Sequence, residues 1–148
     1  MCYSKKYAMI KTNVKMKEFL IMKRHEARQK ALQVLFQLDS TELSIDEAME
    51  HVLEEKKSDA FFENLVRGTL ENQQNIDEKL EGNLENWTLS RLPKLERTVL
   101  RLALFELSHN EDVPSKVVIN EAVELCKTFG DDKSAKFVNG VLSKFTKA

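Results

Sequence analysis

Apolar residues return every three or four positions along most of the chain, and this spacing predicts helices rather than strands. The first predicted helix runs from about Lys23 to Leu38, with Ala27, Ala31, Val34, Leu35 and Leu38 as its core stripe. Ser44 and Glu47 have capping-box spacing and open a helix through Ala48, Val52 and Leu53. Ser58 or Asp59 can cap a longer helix whose apolar positions are Phe61, Phe62, Leu65, Val66, Leu70, Ile76 and Leu80. Trp87 to Leu92 reads as a connector of one helical turn, and Pro93 restarts the chain. From Lys94 to Ser108 apolar residues occupy nearly every side, so that helix belongs at the centre of a bundle. Pro114 suits the first turn of the next helix, carried by Val117, Val118, Ala122, Leu125 and Phe129, and Gly130 stops it. Asp131 and Asp132 favour a last helix with Ala135, Val138, Val141 and Leu142 inside. Gly140 within that helix carries a cost, for which close backbone packing is the expected reason.

These elements make an all-α bundle of six or seven helices. No internal repeat or long linker divides it, and four Gly with two Pro leave little material for a turn-rich β fold. No apolar run approaches the roughly 20 residues that cross a bilayer. Residues 1–21 are Lys-rich and lack a sustained helical period, so they read as a disordered or non-native extension ahead of one domain at 22–148. Lys17-Glu18 can be encoded as a ribosome-binding sequence three codons before Met22, which makes Met22 the expected start. The alternative is a genuine basic arm that meets a polyanion.

Charge separates along the chain although the net value is only −1. Residues 1–30 hold nine Lys/Arg against two acids, and residues 39–87 hold fourteen acids against four bases. Such asymmetry suggests different surfaces for different partners, with a polyanion at the basic end. Catalytic chemistry has little to stand on. His25, His51 and His109 are scattered and lack companions at metal spacing, so they read as surface or cap residues, and no catalytic or metal-binding set is assigned. There is no nucleophile elbow or phosphate-cradling glycine loop, and nothing calls for a cofactor. Glu54-Glu55 and Asp131-Asp132 read as solvated face and helix cap. Cys2 and Cys126 show no redox spacing, and Cys126 lies in an apolar helical pattern, which fits a buried free thiol in a reducing cytoplasm.

On the first helix, Arg24, Arg28, Leu32 and Phe36 follow one i, i+4 row, with Lys23 and Lys30 at the opposite margin of the core stripe. Arginine offers a planar charged fork for phosphates and bases, and an aromatic in the row can stack an unpaired base. An amphipathic helix also edges its apolar face with long basic side chains as a matter of course, and a lone phenylalanine is more often core than platform.

Three stretches carry a resemblance. INEAVELCKTFG followed by KFVNGVLSK, the segment KRHEARQKALQVLFQLD at Lys23 to Asp39, and ERTVLRLALFEL at Glu96 to Leu107 closely resemble the NusB family of bacterial transcription antitermination factors, in the family's order. The resemblance implies two packed three-helix subdomains and a non-enzymatic adaptor. It implies binding of the boxA element of ribosomal RNA leader transcripts together with NusE, a small-subunit ribosomal protein, beside RNA polymerase, so that termination is suppressed. On this basis Lys23, Arg24, Arg28, Lys30 and Phe36 are expected to meet RNA, and Glu96, Arg97, Arg101 and Phe129 to face the protein partner. His25 and Glu26 interrupt what in some relatives is a continuous arginine run, so affinity is expected to depend more on the partner. Two other classes stay open: an accessory domain of an RNA-modifying enzyme, for which the chain lacks a nucleotide-binding region, and a purely protein-binding scaffold.

Overall fold

The computed structural model describes residues 13–54 and 57–146, with side chains described from residue 24 onward. Among the described residues seven α-helices and one 3-10 turn follow in order: α1 Asn13–Leu38, α2 Ile45–Leu53, α3 Ala60–Glu71, α4 Gln73–Glu81, the turn Leu89–Arg91, α5 Lys94–His109, α6 Ser115–Phe129 and α7 Asp132–Ser143. No strand occurs among the described residues. The all-α expectation therefore holds. Helix α1 starts ten residues before the predicted boundary, inside the segment read as lacking a helical period.

Local chemistry sets most of the ends. Ser44, Asp59 and Asp131 accept from the backbone N–H of Glu47, Phe62 and Ser134, so each satisfies one of a helix's four orphan donors. The Ser134 N–H also holds the Asp131 carboxyl below its ordinary pKa. Pro93 and Pro114 stand one residue before α5 and α6. The single long helix expected from Asp59 to Leu80 is instead two. The break falls at Asn72: its backbone N–H still donates to the Gly68 carbonyl at 3.1 Å, its side-chain amide donates to the same carbonyl at 2.8 Å, and its own carbonyl starts α4.

Helix α5 is the centre, packing against α1, α3, α4, α6 and α7, and eight of its residues from Thr98 to Glu106 are buried. Around it α1 packs on α2 and α3, while α6 and α7 pair with each other. Phe62, Leu65, Leu80, Leu100, Leu104 and Leu142 fill the interior, each burial being worth about 1.5–3 kcal/mol. Two glycines differ in purpose. A Cβ at Gly68 would sit 2.1 Å from Phe105 Cζ, so α3 can approach α5 only with a hydrogen there. Gly140 contradicts its expectation: a Cβ there would meet nothing within 4 Å, and packing within the described chain does not account for it.

Candidate nucleic-acid interface

The apolar stripe of α1 turns Ala27, Ala31, Val34 and Leu35 inward, which leaves Arg24 exposed at the stripe's edge. Its guanidinium carbon lies 4.8 Å from the centroid of the Phe61 ring on α3, a cation–π contact that holds the fork against the surface without closing it to a ligand. Arg28 lies over the same ring at 5.2 Å, but it is no surface cation. It is 4% exposed, and its Nε donates to Glu106 Oε1 and Oε2 at 3.0 and 3.2 Å while Nη2 donates to Oε2 at 2.5 Å. The expectation of Arg28 as a free phosphate contact beside the stripe is corrected. A carboxylate buried amid the apolar run 102–107 of α5 needs a cation, and Arg28 is the one that reaches it.

The remaining basic residues divide. Lys30 points away to the end of α2, where its Nζ donates to the Val52 carbonyl at 3.3 Å. The side chain of Lys23 lies outside the described residues. His25, read as a surface residue, joins α1 to α6: its Nδ1 is 2.7 Å from Glu121 Oε2 and its Nε2 is 3.2 Å from the Gln29 amide nitrogen.

Phe36 is not part of this cluster. Each i to i+4 step drifts by about 40° around a helix, so three steps carry Phe36 about 120° away from Arg24 and about 18 Å along the axis. There it is 38% exposed, with the Lys94 ammonium 4.1 Å above its ring. It faces Phe129, 43% exposed, across a groove of about 350 Å³ whose other walls are Leu32, Gln33, Gln37 and Leu95. One expected RNA residue and one expected partner residue thus share a face.

Glu96 is half-buried on α5. Arg97 donates to Asp39 at 2.9 Å and to the Leu92 carbonyl at 3.3 Å, and Arg101 grips Asp77 through Nε and Nη2 at 2.8 and 3.0 Å. Both arginines bind the chain to itself. Beneath this face Cys126 is buried, and burial, with Glu96 and Asp131 adding, pushes its thiol up from 9.0 to about 12. No group of three metal-ligating side chains occurs among the described residues, and no described helix is long and apolar enough to cross a membrane.

Sequence reading missed Phe61, Glu106 and Glu121. A signal existed for Glu106, the one acid amid the apolar run of α5 after Glu96, and none for Glu121 on a mixed helix face.

The model of the NusB family matches residues 25–147. Transcription antitermination protein NusB of Lysinibacillus sphaericus is 62% identical over 125 residues, covering 84% of this chain and 98% of that protein. Its counterpart in Bacillus subtilis is 54% identical over 122 residues, covering 82% and 93%. Among solved structures, antitermination factors NusB and NusE in complex with double-stranded RNA match at a TM-score of 0.73 and 33% identity, covering 82% of this chain and 93% of that one. T. maritima NusB matches at 0.74 and 36%, covering 82% and 88%. The chain belongs to the NusB family.

Proposed function

We propose that this chain is a cytoplasmic, non-enzymatic transcription antitermination factor that holds boxA RNA together with NusE beside RNA polymerase. The observation that carries the reading is family membership, joined to a solved relative that holds NusE and RNA at once. Within this reading, the geometry supports the following division of work among the residues. Arg24, exposed on Phe61, contacts the RNA, with Lys23 beside it in sequence. Arg28 and Lys30 position α1 through Glu106 and the end of α2. The Phe36–Phe129 groove takes an apolar part of NusE, because Lys94 already covers one face of Phe36 and the floor is Leu32 and Leu95. Glu96 lies next to that floor in sequence, while Arg97 and Arg101 fix the helices that build it.

Labelled boxA RNA titrated with the chain, alone and with NusE, tests this directly. Binding should exceed that of a scrambled RNA, and Arg24→Ala should flatten the log–log salt dependence by roughly 0.7 for a single strand. Phe129→Ser should weaken NusE binding and leave RNA binding by the chain alone unchanged. Equal affinity for boxA and scrambled RNA, with and without NusE, overturns the reading. The double-stranded RNA held by the solved relative favours a second reading, recognition of duplex shape. A duplex of the same sequence that outcompetes the single strand would select it.

A further inference from the structure

Gly140 is unexplained by the chain's own packing. It sits inside α7, is exposed, and a Cβ on it would meet open space. Lys133, Phe137, Gly140 and Lys144 stand at i, i+4, i+7 and i+11, so they form one stripe along α7, with exposed Lys136 at its margin. Trp87, the only tryptophan, is 53% exposed beside that stripe, its ring edge-on to Phe137 with centroids 6.3 Å apart at 72°. The loop that carries it is pinned to α7, since Lys144 Nζ donates to the Asn83 carbonyl at 3.0 Å and lies 3.4 Å from Glu85. A large aromatic left in solvent, a bare stretch of helix and three lysines are therefore held together, with Glu85 facing Lys144 and the exposed Asp131 and Asp132 beside Lys133 and Lys136 at the start of α7.

We propose that this face is a second stretch of the RNA interface, where one unpaired base stacks on Trp87 and the sugar–phosphate chain crosses the helix at Gly140 between the lysines. The inference rests on the RNA-binding reading above and adds residues outside α1. Stacking on an aromatic tolerates any base, and a glycine lets a backbone lie closer to the helix than any side chain would. Lys133 and Lys136 on one side of Gly140 and Lys144 on the other can each meet a phosphate of a chain that crosses there, contacts that an apolar protein segment would leave unused.

The glycine makes the test sharp, because fold and binding should move in opposite directions. In the full chain Gly140→Ala should raise the melting temperature by about 2–4 °C. The same change should weaken binding of single-stranded boxA RNA, and Gly140→Gln should weaken it further. Trp87→Leu should weaken it about 5- to 150-fold, with melting measured alongside. RNA added to the chain should quench the Trp87 fluorescence. If these variants bind RNA like the parent while Arg24→Ala does not, this inference falls and the first interface stands. If they lose NusE and keep RNA, the face serves a protein and the inference is overturned. If the parent binds no RNA, both readings fall together.

Discussion

Arg28 illustrates how one residue can belong to a functional row in sequence and to the core in space. Its pair with Glu106 joins positions 78 apart, and removing either partner strands a buried charge. Arg28→Ala should cost about 3–5 kcal/mol, measured by urea denaturation, rather than the roughly ±0.5 kcal/mol of a surface site. Arg28→Met with Glu106→Leu should recover most of the loss, and a recovery of none would mean that the pair is not what sets the cost. Cys126 gives a second check. Because its folded pKa of about 12 lies above the 9.0 of a free thiol, the folded state keeps its proton over that window. Its contribution to stability is whole below pH 9 and lost as pH rises toward 12. Alkylation at pH 8 should therefore be slow until denaturant is added; rapid labelling of the folded chain would contradict the burial. The buried thiol was legible because apolar neighbours at helical spacing surround it. The buried arginine was not, since a cation beside a stripe snorkels or pairs according to a partner that periodicity cannot place.

Among the elements, hydrophobic period and caps gave nearly every helix, as the three capping side chains at Ser44, Asp59 and Asp131 show. The errors fell where one side chain overrides a pattern. The continuous apolar period is split at Asn72, whose side-chain amide shares the Gly68 carbonyl with its own backbone N–H, and its neighbours give no warning of it. Glycines were equally opaque, because space around a backbone is a tertiary property. Gly68 lies under Phe105, and Gly68→Ala should destabilise by about 1–3 kcal/mol through overpacking despite the better helix propensity of alanine. Thermal melting checks this, and adding Phe105→Leu should restore much of the loss by opening room above α3. If Gly68→Ala melts at or above the parent temperature, the ring moves freely and the contact is slack.

At the scale of the molecule, α1 and α5 serve both proposed faces: α1 carries Arg24 and Phe36, and α5 carries Glu106 and Lys94. If α1 and α5 couple the two faces in one complex, the factor by which NusE tightens RNA must equal the factor by which RNA tightens NusE. Calorimetric titration in both orders measures the two factors, and Arg28→Ala should reduce both together by loosening α1 from α5. Loss of one factor alone would violate the cycle and point to a third binding event. The drift of the i, i+4 row, which carries Phe36 away from Arg24, has a mechanical consequence. In the proposed complex, a rigid helix with its two contacts turned apart would work as a jig: each ligand would be aligned by its own clamp, and the pair would keep a fixed offset and angle without touching one another.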